Sequence, residues 1–148
     1  MSPLQVRITE DVKTAMKAGD KPRLSTLRML TAELKQREVV DAVTMSDEVV
    51  IAAIEKMIKQ RRDAEKQYRD GGRAELADAE AAEIQVLSAY LPQALSEAEL
   101  AALLDDAVRD TGAAGVKDMG KVMAWLKPKT AGRADMGKLS ALVKAKLS

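Results

Sequence analysis

Apolar residues recur at three- and four-residue spacing in every stretch of this chain long enough to be regular, and that period selects helix over strand throughout. Leu4, Ile8, Val12 and Ala15 or Met16 form one stripe. Leu24, Leu27, Leu30 and Leu34 form the next, then Val50, Ile54, Met57 and Ile58. Leu76, Ile84 and Leu87 follow, and Leu100, Leu103, Leu104, Ala107 and Val108 continue the pattern. The 25 alanines, together with Leu, Lys, Glu and Arg, add intrinsic helix propensity to the periodicity. With no Phe, one Trp and two Tyr, the core has to be aliphatic.

Local start and stop signals cut this pattern into segments. Ser2, Pro3 and Gln5 make a capping box with proline at the first helical position, and Gly19 suits a left-handed exit. Helices are expected over residues 4–18, 20–40, 47–68 or beyond and 73–90, with Gly71-Gly72 breaking the third and Pro92 ending the fourth. Ser96 and Glu99 form a second capping box that starts a fifth helix, stopped at Gly112. Two shorter helices, residues 119–126 and 136–147, are separated by Pro128 and Gly132. The expected architecture is all-α: a four-helix N-terminal subdomain, residues 1–92, and a basic three-helix C-terminal subdomain, residues 93–148. The basic face of the third helix (Lys56, Lys59, Arg61, Arg62, Lys66, Arg69) and the acidic face of the fourth (Glu75, Asp78, Glu80, Glu83) are expected to pair across the Gly71-Gly72 turn, in preference to a nucleic-acid patch there.

What the chain lacks narrows its chemistry. Without Cys there is no thiolate nucleophile, disulfide framework or zinc finger, and without His there is no Ser-His-Asp or Cys-His site. Ser140 with Lys144, and Glu80 with Glu83, lie one helical turn apart, a spacing common on helix surfaces. The expectation is no autonomous catalytic site, no cofactor and no metal. No apolar run approaches the roughly 20 residues of a membrane span, and Met1-Ser2-Pro3-Leu4-Gln5 lacks a signal-peptide pattern, so a cytoplasmic protein without membrane contact is expected.

A net charge of +1 conceals an asymmetry, because residues 1–114 carry −5 and residues 115–148 carry +6. Such a tail attracts polyanions, although solvated lysines are also ordinary on helix surfaces. Within it Asp118-Met119-Gly120-Lys121 recurs as Asp135-Met136-Gly137-Lys138, and seven of twelve aligned positions are identical. Each copy reads as a short amphipathic helix with an aspartate N-cap and an inward methionine. Glycine after the methionine weakens a helix by up to about 1 kcal/mol, which points to close approach, either of the other helix or of a phosphate at the helix N-terminus. Between the copies, residues 127–134 read as a loop holding Lys127, Lys129 and Arg133 and no anion, with Gly132 freeing the backbone. Such a loop is a clamp for a sugar-phosphate backbone or an ordinary turn. Trp125 sits at an apolar-leaning position and reads as core, so recognition of a folded RNA by shape and backbone is the binding mode left open.

Leu24-Ser25-Thr26-Leu27-Arg28-Met29-Leu30, Lys59-Gln60-Arg61-Arg62-Asp63, Gly72-Arg73, Tyr90-Leu91-Pro92, Asp118-Met119-Gly120-Lys121-Val122-Met123 and Gly132-Arg133-Ala134-Asp135 resemble the YqeY family, in order and over essentially the whole chain. That family is similar in turn to the C-terminal tail domain of GatB, a subunit of the aspartyl/glutamyl-tRNA amidotransferase. The resemblance implies an all-helical protein whose function is binding: the tail domain is associated with gripping tRNA at its elbow, while glutamine hydrolysis and ATP-dependent activation belong to other domains. It also brings a family label, carbon-nitrogen ligase with glutamine as amido-nitrogen donor, which this residue inventory cannot perform alone. By matching position the implied RNA contacts are Gly120, Lys121, Lys129, Gly132 and Arg133. Lys127 joins them through the loop and Lys138 through the repeat. The expected partner is tRNA, with an amidotransferase or other translation-related protein as a further one. A competing expectation is a helical adaptor that joins such an enzyme through its N-terminal helices without touching RNA.

Overall fold

The computed structural model describes residues 1–148. Helices α1 (Pro3–Ala18), α2 (Lys21–Val39), α3 (Asp47–Asp70), α4 (Ala74–Ser88), α5 (Glu97–Thr111), α6 (Met119–Thr130) and α7 (Met136–Leu147) follow one another, with a single 3-10 turn, Val116–Asp118, before α6. The chain is all-helical and divides into two compact units, Met1–Leu91 and Pro92–Ser148.

The first unit is built from two antiparallel hairpins. At the start of α1 the Ser2 hydroxyl accepts from the Gln5 amide (3.2 Å), and Gln5 Oε1 accepts from the Ser2 amide (2.9 Å). Gly19 takes the left-handed conformation that closes the helix (φ +69°), and the Asp20 carboxylate accepts the Arg23 amide to open α2. Ile8, Leu27, Leu30, Val50, Ile54 and Leu87 are buried together at the centre. The α3–α4 hairpin turns on Gly72 (φ +73°), and its facing charges pair as the charge runs lead one to expect. Arg61 Nε donates to Glu83 Oε2 at 2.8 Å and Arg69 Nη2 to Asp78 Oδ1 at 3.1 Å. The unit's C-terminal end is tied to α1: the Tyr90 hydroxyl donates to Asp11 Oδ2 at 2.6 Å, and the Arg7 guanidinium lies 4.8 Å from the ring centre.

In the second unit Leu100, Leu104 and Ala107 of α5 pack with Val122 and Leu126 of α6 and Leu139 and Val143 of α7. The second capping box is present, with Ser96 Oγ accepting from the Glu99 amide and Glu99 Oε1 accepting from the Ser96 amide. One expectation fails here. Pro128 does not end α6, which continues to Thr130. A proline removes one i→i−4 bond, and the carbonyl it orphans belongs to Ala124, an exposed residue near the end of the helix. The buried Thr130 hydroxyl, donating to the Leu126 carbonyl at 3.0 Å, reinforces the same turn.

Two measurements follow from these contacts. Leu126 is fully buried, so Leu126→Ala is expected to destabilise the second unit by about 2–5 kcal/mol, read from urea unfolding followed by Trp125 fluorescence. Glu99 is held below the usual glutamate range, first by the Ser96 amide it accepts from, then by the Ser96 hydroxyl. A folded-state value below the unfolded one means the contribution is complete above about pH 4.3 and is lost as pH falls through the folded-state value. A carboxyl-carbon NMR titration should place Glu99 below the ordinary glutamate range, and a midpoint at or above that range would contradict the capping geometry.

Candidate nucleic-acid interface

The two Asp-Met-Gly-Lys copies both open helices, but they do so differently. Asp135 is an extended N-cap whose Oδ2 accepts from the Lys138 amide at 3.0 Å. Asp118 makes no such bond. The 3-10 turn ahead of it already curls its backbone (φ −93°, ψ 6°), so its carboxylate reaches back to the Ala114 amide at 2.9 Å and lies 3.8 Å from Lys121 Nζ. The Ala114 amide is the main cause holding the Asp118 carboxyl below its ordinary range. Met119 and Met136 lean on the core in both copies, as expected of them.

The glycines of the repeat are not sites of close approach within the chain. A Cβ on Gly120 would meet nothing within 4 Å, and one on Gly137 only Asp135 Oδ2 at 3.4 Å, an ordinary contact. Neither has a left-handed backbone, whereas Gly132 (φ +72°) does and turns the chain between α6 and α7. Gly120→Ala is therefore expected to raise the stability of the second unit by up to about 1 kcal/mol, measured by urea unfolding. A loss of stability would mean a packing contact at this position.

The first half of the stretch expected to be a clamp loop, residues 127–130, is helical, and this redistributes its cations. Lys127 and Lys129 lie in the last turn of α6, and at 3.6 residues per turn two positions apart face nearly opposite ways. Arg133 is engaged inside the unit: its Nε donates to the Gln93 carbonyl (2.9 Å), its Nη2 lies 3.6 Å from Glu99 Oε2, and its own carbonyl accepts the Leu95 amide (2.9 Å). It clasps the segment before α5 to the α6–α7 turn. Lys138 stands exposed in the first turn of α7, and Lys146 pairs with Asp105 of α5 at 2.5 Å. Helix α5 carries a net −4 and packs on α6, so the +6 tail is partly neutralised and the whole second unit carries only +2.

Trp125, assigned to the core from sequence, does pack against the core of the second unit, and its remaining surface lies at the cationic edge. Trp125 is half-buried, and Lys129 Nζ lies 3.9 Å from its ring centre. Lys121 and Lys129 stand four residues before and after it, which places Lys121, Trp125 and Lys129 in one row along α6. The signal was the i, i+4, i+8 spacing of two lysines around the only tryptophan. Lys127, Lys129, Lys138 and Lys144 form no ion pair, and Lys121 has only its long contact to Asp118. Of the two carboxylates weighed as a pair, Glu83 is held by Arg61, and Glu80 is raised first by burial and then by the Glu83 charge. No helix is long and apolar enough to cross a membrane.

The fold and this edge define an all-helical, two-unit protein with a lysine-rich C-terminal helix pair. Comparison with known families gives the assignment: the family model described as Yqey-like protein matches residues 5–147, and the chain belongs to that family. It is similar to the mitochondrial protein named Altered inheritance of mitochondria protein 41 of Pyrenophora tritici-repentis, 28% identical over 130 residues, covering 86% of this chain and 71% of the relative. The protein of the same name from Lachancea thermotolerans is 30% identical over 125 residues, covering 80% and 67%. An uncharacterized protein of Schizosaccharomyces pombe is 31% identical over 90 residues, covering 61% of this chain and 73% of its own length.

Proposed function

We propose that the protein is a tRNA-binding accessory protein that grips the sugar-phosphate backbone through α6 and the start of α7. The observation that carries this reading is the Lys121, Trp125 and Lys129 row, in which a half-buried indole is flanked by two exposed ammonium groups on a rigid helix. Lys129 has no carboxylate partner and Lys121 only the 3.8 Å contact to Asp118; exposed ammonium groups release counterions when they meet phosphates, and an aromatic face beside them takes a ribose or base edge. Lys127, on the other side of α6, and Lys138, in the first turn of α7, are further exposed cations of the same unit. Arg133 and Gly132 shape the turn that holds these helices, with Arg133 positioning it through Gln93.

The role is binding. The similarity to the GatB tail domain supports a grip on tRNA, supplied to a tRNA-dependent amidotransferase or another translation enzyme, and the carbon-nitrogen ligase label belongs to such a partner. Cytoplasmic placement is part of this proposal and does not come from the comparisons, whose relatives are named mitochondrial.

The test uses the single tryptophan as reporter. Total tRNA titrated into the protein is expected to change Trp125 fluorescence saturably, at low and at physiological salt, with duplex DNA of equal mass binding more weakly. Lys121→Gln with Lys129→Gln should lower the slope of log affinity against log salt by about 1 per lost phosphate contact, and Arg133→Gln should act chiefly on stability. Equal binding of tRNA and duplex DNA, or an unchanged slope in the double variant, overturns the reading.

A further inference from the structure

Helix α2 carries a second, uncovered face that the RNA reading does not use. Its inner side is spent on Leu27, Leu30 and Leu34, which are buried. The outer side holds Lys21, Arg28 and Lys35 at seven-residue intervals, and beside them Ser25, Ala32 and Val39 at the same interval. Seven residues are nearly two turns, so each set forms a row with about 10.5 Å between members. All six residues are exposed, Val39 to 67%, and Met29 on the flank is 38% exposed. Lys21, Leu24, Ser25, Arg28, Met29 and Ala32 line a shallow depression of about 470 Å³. None of the three cations forms an ion pair: Glu33 is taken by Arg37 on the flank, Asp20 caps the N-terminus, and the exposed Glu38, three residues after Lys35, does not pair with it. Arg61, whose Nη2 reaches Met29 Sδ at 3.6 Å, is already neutralised by Glu83.

We propose that this face of α2 docks an acidic amphipathic helix of another protein, one with a carboxylate at every seventh position. The seven-residue period of the cations is the period at which one helix meets another along its length. Small side chains at Ser25 and Ala32 let a helix backbone come close, and Met29, Leu24 and Val39 give its apolar residues something to cover. Charge complementarity selects the occupant: Lys21 and Arg28 in the depression, Lys35 beyond it in the same row, and no carboxylate among the lining residues suit a helix with an acidic row. A nucleic acid would match the charge but would leave the interleaved apolar side chains uncovered. The proposal is independent of the tRNA reading, since none of these residues belongs to the second unit.

The experiment uses the full chain and a designed, dye-labelled peptide of three heptads with Glu at every seventh position, Leu and Ala facing the docking side, and a twin in which Gln replaces each Glu. Fluorescence anisotropy is expected to show saturable binding of the Glu peptide and at least about tenfold weaker binding of the Gln twin. Lys21→Glu with Arg28→Glu and Lys35→Glu should weaken the Glu peptide by at least about tenfold, with helical circular dichroism unchanged because all three side chains are exposed. Ala32→Arg, which blocks the depression while adding positive charge, should also weaken it, separating shape from charge. Equal affinity for the two peptides, or indifference to the triple reversal, overturns the proposal. It is also overturned if the triple variant loses tRNA affinity as the Lys121 and Lys129 variants do, or if sedimentation shows a wild-type dimer that the reversal dissociates. The first outcome assigns the face to RNA and the second to another copy of the chain. Failure of the tRNA titration alone leaves the peptide result standing.

Discussion

Aliphatic side chains attract one another without direction, so a core that has no phenylalanine depends on polar contacts to set how its helices register. In the first unit those contacts are few and specific. The Asp47 carboxylate accepts the Leu4 amide and fixes the start of α1 against the start of α3. Arg61 with Glu83 fixes α3 against α4, and Tyr90 with Asp11 fixes the chain after α4 against α1. No buried side-chain nitrogen or oxygen is left without a partner, so each of these polar groups is compensated where it stands. Sliding α1 by a turn would break its bonds to Asp47 and Tyr90, and sliding α4 would break Arg61 from Glu83.

The second unit solves the same problem with a different balance of charge. Its cationic helices are too like one another to select a packing by themselves, and α5 supplies the contrast. Asp105 takes Lys146, and Glu99 stands by Arg133, while in the Trp125 row Lys129 forms no ion pair and Lys121 has only its 3.8 Å contact to Asp118. The division matters for function: the cations that hold the unit together are those a ligand would have to compete for, and those on the α6 edge are free to meet an anion without unfolding anything.

Most of the helices were legible because their boundaries are set by neighbours three or four residues away. Ser2 with Gln5, Ser96 with Glu99, Gly19 and Gly112 behave as their local chemistry dictates. Charge runs on α3 and α4 announced Arg61 with Glu83 and Arg69 with Asp78, since one short turn leaves those faces little else to meet. What escaped was set by contacts or by context beyond such windows. Pro128 continues a helix because the carbonyl it orphans belongs to an exposed residue near the helix end, and Asp118 is diverted by a 3-10 turn that its twin Asp135 lacks. Arg133 is fastened to a carbonyl forty residues earlier, a bond to backbone that no side-chain pattern records. Trp125 was legible as partly apolar, but its place beside Lys129 emerges only once residues 127–130 are known to be helical.

The Arg133 clasp also determines where the chain can be cut. Its partners, the Gln93 carbonyl that accepts from its guanidinium and the Leu95 amide that donates to its carbonyl, lie ahead of the Ser96 cap, in a stretch with no secondary structure of its own. A fragment trimmed to begin at the first residue of α5 would look complete on a helix diagram and yet would lose the strap that closes the α6–α7 turn, along with the cap of α5 itself. Recombinant dissection of this protein therefore has its boundary at Leu91–Pro92, and the short connecting segment travels with the C-terminal half as part of its architecture.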